Sequence, residues 1–446
     1  MKEFLKKIIP TKLLKSLRPP YHGALALLAN TYYGKPSSKL IVIGVTGTAG
    51  KSTTVQLLAH ILRGSGKKTG FTTTISSHDG DVETLNRENQ SMPGGPVLHK
   101  QIKAMLAHGC EFAIIECTSE GLEQNRHLGI QFDAAILTNL TPAHIDNHGS
   151  LASYIAAKAK LFTATVSSPL KQSKKQKLLG VCLDGENLDS FLGFHGKNNV
   201  KMFATTLEGK TSAQVDTIYA ANKVASPRAA FILDGETFGT KILGDYNAYN
   251  ALLATATCLS LSISTEDCKT ALASFAGAPG RMEQIPNSRG ITIIVDYACT
   301  PIAFKTALPS VRAGASGKLI HVFGMTGGLR DASQRFIQGK ISAQYSDAII
   351  ITNEDAYESD LAEIMENIET GTTQAEHPRA TVVEKIGDRK AAIARAIELA
   401  QVGDTVFITG KGCEQFHILP GNVKIPWDDR NVVRDILNNF SQNSRP

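Results

Sequence analysis

The stretch IVIGVTGTAGKSTT, residues 41–54, decides how the rest of the chain is read. A run of β-branched residues enters a glycine-rich turn, and the turn meets Lys51, Ser52 and Thr53 at the head of TVQLLAHILRG, whose apolar residues recur with helical period. The segment is a strand, a loop and a helix. In such a unit the backbone N–H groups of the turn and of the helix N-terminus point at an anion, a lysine adds a mobile positive charge, and a hydroxyl can ligate Mg²⁺. A nucleoside triphosphate is the natural guest, lined by Gly47, Thr48, Ala49, Gly50, Lys51, Ser52 and Thr53. The common phosphate-loop pattern sets a glycine six residues before the lysine, and here Val45 holds that position between Gly44 and Gly47. This is a variant loop with Gly47, Gly50, Lys51 and Ser52 as its working core. A bare strand-to-helix turn is the alternative, and it leaves the lysine and the paired hydroxyls without a purpose.

Outward from the loop, short apolar runs alternate with segments of helical period: FAIIECTS, AAILTNL, LLGVCLD, ITIIVDYA, LIHVFGMTGG, AIIITNED and DTVFITGKG. Short β-rich runs feeding helices imply parallel sheets covered on both faces. Several runs end in polar or glycine-rich turns, where open α/β sheets gather their ligands. The stretch FAGAPGRMEQIPNSRG, residues 275–290, is rich in glycine and proline and separates two series of such units. The expected organisation is α/β: a basic helical segment over 1–38, a P-loop ATPase-like central domain with a parallel sheet over 39–278, and a smaller doubly wound, Rossmann-like C-terminal domain over 279–446.

With 446 residues the chain can bury a core in each of two or three domains. A net charge of +6 is modest for this length, and no dense basic run is interleaved with aromatics, so nucleic acid is not an expected partner. The basic stretch PLKQSKKQK, residues 169–177, reads as a solvated loop. Seven cysteines without a C-x-x-C pair indicate neither a disulfide framework nor a zinc ribbon and fit a reducing cytoplasm. No run is long and apolar enough to span a bilayer, and the N-terminus lacks the core of a signal peptide. The first twenty residues, MKEFLKKIIPTKLLKSLRPP, are nevertheless basic and amphipathic. They fit a helix docked on the body of the protein, the reading that Pro10 favours by breaking the pattern, or a weak anchor on anionic lipid.

Two strand ends beyond the loop carry further chemistry. Glu116 closes FAIIE, and His144 stands in LTNLTPAHIDNHG. A hard cation on a triphosphate wants oxygen ligands such as a carboxylate, and a histidine would suit a second, softer metal. Read singly, Glu116 could cap the following helix and His144 could be a surface loop residue.

The motifs GTAGKSTT, ECTSEGLEQNR, TNLTPAHIDNHGSLASYIAAKAKLF, GDYNAYNALLA, GRMEQI, DYACTP, GLRDASQR and GKGCEQ occur in the order, and at about the spacing, found in the Mur ligase family. The chain resembles most its MurE-type members, which add the third amino acid to UDP-N-acetylmuramoyl dipeptide. The resemblance runs over roughly residues 39–440. It implies ATP-dependent amide synthesis through an acyl phosphate, with ATP and Mg²⁺ as cofactors and small-molecule substrates as partners. It implies Lys51 as a catalytic residue, Mg²⁺ on Ser52, and a second metal held by Glu116 and His144. Lys158 matches the lysine that the family carbamylates, whereas the residue by itself reads as a solvated charge on a helix. Asn247 and Asn250 match positions near the nucleotide base, with helix capping as the alternative. Arg281 matches an arginine that reaches the phosphates, and Asp296 a residue on the ribose, so that nucleotide would be gripped from both sides of the boundary.

For the acceptor, Ser119, Gln124 and Arg126 match residues that touch the muramoyl peptide, and Ser91 falls where the family carries a hydroxyl pair, here followed by Met92. Arg330 matches the arginine that takes the incoming amino acid's carboxylate, and Gly410 and Glu414 match residues that read its far end. The pattern departs at Cys299 and Cys413, which replace the usual histidines. It departs again at EDAY, residues 354–357, where diaminopimelate enzymes read Asp-Asn-Pro-Arg. Only residues 1–40 precede the loop, where MurE-type enzymes carry a uridine-binding domain. The expected acceptor is a UDP-N-acetylmuramoyl peptide; the alternative keeps the chemistry and changes the acceptor to a poly-glutamate, folate-type or other wall peptide carboxylate.

Overall fold

The structure, a computed structural model, describes residues 11–86, 92–141, 148–171, 176–328 and 331–443, without the side chains of 11–15 and 441–443. Ser91, His144 and Arg330 lie outside the described residues. The chain divides into two compact units, the first formed by 1–224, 230–240 and 247–275, the second by 225–229, 241–246 and 276–446. Among the described residues no helix is long and apolar enough to cross a membrane.

The first unit is built on strands β1 (Ile41–Thr46), β2 (Thr69–Thr72), β3 (Ser76–His78), β4 (Glu83–Leu85), β5 (Phe112–Glu116), β6 (Ala134–Leu137), β7 (Lys177–Cys182), β8 (Val200–Thr206), β9 (Thr217–Lys223), β10 (Arg228–Leu233) and β11 (Glu236–Leu243). They form one sheet in the order β11-β10-β9-β8-β7-β6-β1-β5-β2-β3-β4. From β2 across to β9 all neighbours run parallel. β3 and β4 at one margin and β10 beside β9 at the other run antiparallel to their partners. The loop strand β1 is central, with Val45 opposite Glu116 on β5 and Thr46 opposite Leu137 on β6. Val42, Ile43 and Val45 are fully buried because helices cover both faces of a parallel sheet. Val45 thus belongs to the strand, and the loop begins at Gly47.

The helices of this unit are α1 (Thr11–Tyr32), α2 (Lys51–Gly64), α3 (Gly95–Ala107), α4 (Ser119–Glu123), α5 (Leu151–Ser167), α6 (Asp189–Leu192), α7 (Asn247–Ser260) and α8 (Thr265–Ser274). α1 starts one residue after Pro10 and runs on through Pro19 and Pro20. It docks through small residues: Ala26 and Ala29 are buried, and a Cβ on Gly95 of α3 would come within 2.4 Å of the Ala26 Cβ. The docked residues lie beyond the stretch 1–20 for which docking was expected, and residues 1–10 of that stretch lie outside the described residues.

The stretch 169–177 is not a solvated loop at its ends, contrary to the sequence reading. Lys177 is buried, and its Nζ donates to the carbonyls of Phe132 at 2.8 Å and Pro169 at 2.9 Å, with Asp133 Oδ1 at 3.5 Å. Lys171 donates to the carbonyl of Gln131 at 2.9 Å, to that of Leu40 and to Asp133 Oδ2. Asp133 also accepts from the Val42 N–H at 2.8 Å. One buried carboxylate has drawn both lysines down, because a buried charge without a partner is too costly to leave. Residues 172–175 between them lie outside the described residues.

The second unit carries β12 (Glu283–Gln284), β13 (Thr292–Val295), β14 (Leu319–Phe323), β15 (Ala348–Ile351), β16 (Val382–Lys385) and β17 (Thr405–Ile408), ordered β12-β13-β17-β14-β15-β16. β13 to β16 are parallel through β17, and the short β12 is antiparallel. Successive side chains of a strand face opposite ways, so β17 sends Phe407 into one core and Val406 and Ile408 into another. The first core takes α9 (Pro301–Gly314), α10 (Ser333–Tyr345) and α11 (Leu361–Thr373) through Leu308, Ile341 and Ile368. The second takes α12 (Arg389–Leu399) and α13 (Asp429–Asn443) through Ile393 and Val433. A hairpin of β18 (Phe416–Leu419) and β19 (Val423–Pro426) completes it. This is the doubly wound α/β pattern expected from the sequence.

Candidate active site

The loop between β1 and α2 is fixed by the strand end beside it. The N–H of Thr48 donates to the carbonyl of Asn139 at 3.0 Å, and that of Ala49 to Asn139 Oδ1 at 3.0 Å. The carbonyl of Ala49 accepts from Thr138 Oγ1 at 2.6 Å and Asn139 Nδ2 at 3.1 Å. Both loop glycines are required by geometry. Gly47 sits at φ 149° with Thr138 Oγ1 only 1.9 Å from where a Cβ would be, and Gly50 at φ 78° with Asn250 Oδ1 2.2 Å away. The N–H groups of Thr48 and Ala49 are taken by Asn139, which leaves the start of α2 as the place for an anion. Lys51 Nζ donates to the carbonyl of Thr48 at 3.0 Å.

Glu116 ends β5 next to this loop. Its Oε2 accepts from Ser52 Oγ at 2.7 Å and from the Thr74 N–H at 2.9 Å, and its Oε1 from Thr74 Oγ1 at 2.9 Å. It does not cap the following helix, because Thr118 is the N-cap of α4 and accepts from the Gly121 N–H. A serine hydroxyl against a carboxylate offers the hard oxygen donors that Mg²⁺ prefers, so the residues present fit that ion. Among the described residues no group of three His, Cys, Asp or Glu could hold a metal, and His144 is not among them.

Lys158 lies on α5 and is buried, 2% exposed. Its Nζ donates to the carbonyl of Gly47 at 2.7 Å and stands 4.5 Å from the centre of the Tyr154 ring. Burial, joined by the charge of Lys51, holds this amine well below the ordinary lysine range, with Glu116 pulling the other way. Tyr154, one helical turn earlier, sets its hydroxyl 3.0 Å from Thr48 Oγ1 and its ring 5.3 Å from His148. Lys160 points elsewhere and donates to the carbonyl of Glu123 at 3.3 Å. Asn250 on α7 reaches the same loop, and Asn247 bonds Asn250. Asn250 Nδ2 donates to Asn247 Oδ1 at 3.0 Å, and Asn250 Oδ1 accepts from Thr54 at 3.4 Å as well as lying under Gly50.

Ser119, Gln124 and Arg126 cluster around α4. Gln124 Oε1 accepts from Arg126 Nη2 at 2.8 Å and Nε at 3.1 Å, and Arg126 Nη1 donates to the carbonyl of Met92. Ser119 Oγ is 3.1 Å from Nε2 of the buried His148, whose Nδ1 lies 3.1 Å from Glu123 Oε2. Thr53 stands beside Ser52 in the first turn of α2.

In the second unit, Asp296 follows β13 and spends its oxygens on the N–H groups of Met282 at 2.8 Å and Ala298 at 2.7 Å. Burial pushes its carboxyl up, opposed by Arg281 and the backbone donors. Arg281 stacks 4.4 Å from the centre of the Tyr297 ring. Glu414 accepts from Tyr297 Oη at 3.0 Å and from Lys411 at 2.5 Å, and Lys411 bonds both oxygens of Asp355 at 2.8 Å. Gly410, at φ 108°, leaves room for Glu354, whose Oε2 is 2.7 Å from where a Cβ would be. Glu354 Oε1 accepts from Thr326 at 2.6 Å, while Oε2 is buried with no hydrogen-bond partner among the described residues. Burial pushes the Glu354 carboxyl up to about 7.

The structure therefore brings Gly47, Thr48, Ala49, Gly50, Lys51, Ser52, Glu116, Lys158 and Asn250 to one loop, with Asn247 bonded to Asn250, and Ser119, Gln124 and Arg126 to one short helix. Sequence reading missed Thr74, Asn139, His148 and Tyr154. Only Tyr154 carried a signal, its i to i+4 spacing from Lys158 on an evident helix.

A phosphate loop with a carboxylate at the next strand end, on a parallel sheet and followed by a doubly wound domain, defines a P-loop enzyme that uses ATP. Comparison with known proteins narrows the class. The Mur ligase middle domain matches residues 45–258, and the Mur ligase glutamate ligase domain matches residues 280–412. The UDP-N-acetylmuramoyl-L-alanyl-D-glutamate--2,6-diaminopimelate ligase of Geobacillus kaustophilus (strain HTA426) is 34% identical over 416 residues, covering 92% of this chain and 81% of the relative. The UDP-N-acetylmuramyl-tripeptide synthetase of Roseiflexus sp. (strain RS-1) is 34% identical over 434 residues, covering 94% and 82%. A solved UDP-N-acetylmuramoyl-L-alanyl-D-glutamate--2,6-diaminopimelate ligase superposes with a TM-score of 0.62 at 27% identity, over 91% of this chain and 79% of the other. The chain belongs to the Mur ligase family. It is an ATP-dependent, ADP-forming amino-acid ligase.

Proposed function

We propose that this ligase adds an amino acid to the glutamate carboxylate of a UDP-N-acetylmuramoyl dipeptide, the acceptor named in its relatives. The observation that carries the reading is the buried Lys158 amine on the carbonyl of Gly47, directly behind the nucleotide loop. Burial and the charge of Lys51 disfavour the charged form of Lys158, and an uncharged amine is the form that can take up carbon dioxide, forming an N–C bond and releasing a proton. The resulting carbamate is an anion, a charge that the neighbouring Lys51 favours.

In the proposed reaction a carboxylate oxygen of the acceptor attacks the γ-phosphorus of ATP, and the bond from that phosphorus to the β–γ bridging oxygen breaks, so ADP leaves. The amine of the incoming amino acid then attacks the acyl carbon, phosphate departs with its oxygen, and the amine loses a proton. Such chemistry asks for positioning and charge neutralisation more than for covalent help. The backbone N–H groups at the start of α2 and Lys51 bind the phosphates, and Ser52 and Glu116 would hold Mg²⁺, which when bound neutralises phosphate oxygens. Ser119, Gln124 and Arg126 orient the acceptor. Arg281 and Asp296 are assigned to the nucleotide, and Gly410 and Glu414, with Arg330, to the incoming amino acid. Ser91 is assigned to the acceptor, and His144 to metal.

The test is phosphate release with UDP-N-acetylmuramoyl-L-alanyl-D-glutamate, ATP and a panel of amines that includes 2,6-diaminopimelate and lysine, with the product weighed by mass spectrometry. One amine is expected to give stoichiometric ADP, phosphate and tripeptide. No turnover with any amine, together with turnover on a poly-glutamate or folate-type acceptor, would reject the acceptor assigned here and keep the ligase.

A further inference from the structure

We propose that the outward face of α1 docks on an anionic membrane surface. The helix has two unlike faces. Ala26 and Ala29 are buried against the first unit, whereas Leu17, Tyr21, Leu28 and Tyr32 are 50%, 59%, 67% and 82% exposed. At about 100° per residue these four fall within a strip roughly 60° wide. Leu27, 49% exposed, widens it. An apolar strip of this length with a tyrosine near each end suits the boundary between headgroups and acyl chains, where amphipathic rings settle.

Charge selects the occupant. Residues 1–40 hold eight lysines and arginines against Glu3 alone, a net of +7, and the whole chain is +6, so everything beyond residue 40 sums to −1. After Glu3 no acidic residue occurs before Asp79. A second copy of this chain laid on the same strip would set one +7 segment against another. An anionic lipid surface answers both properties at once, since apolar insertion and phosphate neutralisation add.

The test uses the full chain with vesicles of phosphatidylcholine alone and of phosphatidylcholine with one-third phosphatidylglycerol, read by sedimentation. Binding is expected to the anionic vesicles, at least tenfold weaker to the neutral ones, and to fall as salt rises toward 1 M, where screening shortens to about 3 Å. Replacing Leu17, Tyr21, Leu28 and Tyr32 by serine is expected to abolish it. Replacing Lys12, Lys15 and Arg18 by glutamine is expected to weaken it by about fivefold per charge. Circular dichroism and thermal melting of each variant report whether it is folded. No binding by the parent chain at low salt overturns the proposal, as does a folded serine variant that binds like the parent. Concentration-dependent dimers by light scattering, lost in the serine variant without any vesicle binding, would assign the strip to self-association instead.

Discussion

At Gly50 the backbone turns at φ 78°, and a methyl group there would press within 2.2 Å of Asn250 Oδ1, which accepts from Thr54 while Asn250 Nδ2 donates to Asn247. Gly66 has nearly the same φ, 79°, with nothing within 4 Å of its missing Cβ. The pair separates strain from collision. Gly66→Ala is expected to cost about 1 kcal/mol of stability and leave ATP affinity intact. Gly50→Ala should cost about 1–3 kcal/mol and weaken ATP binding at least tenfold by calorimetry. Equal affinities in the two variants would remove the loop geometry from ATP recognition. At Lys158, replacement by alanine is expected to abolish phosphate release, with bicarbonate unable to restore it and a short carboxylate such as acetate restoring a fraction. Full activity in the alanine variant would take the carbamate out of the mechanism. Glu354 gives a pH signature. Its folded carboxyl titrates near 7, above the ordinary 4.5, so between those values the folded state keeps a proton that the unfolded state has lost. Stability is therefore lost as pH rises across that window, by about 1.4 kcal/mol per unit. Glu354→Gln is expected to melt higher than the parent at pH 8 and no higher at pH 4, and identical pH profiles would show that the carboxyl is not perturbed.

Elements meet at the base of the first sheet through Asp133, which gathers the N–H of Val42 on β1 and the amines of Lys171 and Lys177. Removing one member of a buried charge group costs about 3–5 kcal/mol because the others stay charged and unpaired. Asp133→Ala is expected to destabilise by that order in urea unfolding, and Lys171→Met, which leaves Lys177 to balance Asp133, by less. Comparable losses in both variants would mean that the two lysines share the carboxylate without redundancy. The same cluster shows where pattern reading ran out. A lysine-rich stretch carries no mark of the single aspartate, 38 residues away for Lys171, that draws it inward. Likewise the parallel strands β1, β5, β6, β7, β13, β14, β15 and β17 were legible as continuous apolar runs, because both their faces are covered, whereas the parallel β2, β8 and β16 were not picked out. The marginal strands β3, β4, β9, β10 and β11 were not, since half-buried strands such as Thr217–Lys223 mix exposed and buried positions without a clean alternation.

Over the whole molecule, the two units close their cores separately: Val42, Ile115 and Leu179 lie in a core of the first, and Ile293, Phe407 and Val433 in cores of the second. A compact unit with its own core is the natural cooperative block, so two transitions are expected by calorimetry. ATP and Mg²⁺ at a hundred times the dissociation constant should stabilise the unit that binds them by about 2.7 kcal/mol. A single transition that moves as one would show the blocks to be coupled. The nucleotide loop and the α/β class were readable before any coordinates because strand, loop and helix signals are local, whereas the ligase chemistry and the roles of Glu116 and Lys158 came only from the resemblance of the ordered motifs, Lys158 by itself reading as a solvated charge. What the tertiary structure alone decided is who serves those residues. Thr74 on Glu116, Asn139 on the loop, Tyr154 between Thr48 and Lys158, and His148 on Ser119 are single polar groups whose partners lie on other elements. A hydrogen bond between distant elements leaves no periodicity in either one. Only folding, which brings buried donors and acceptors within 3 Å or so and penalises any left alone, selects those pairs.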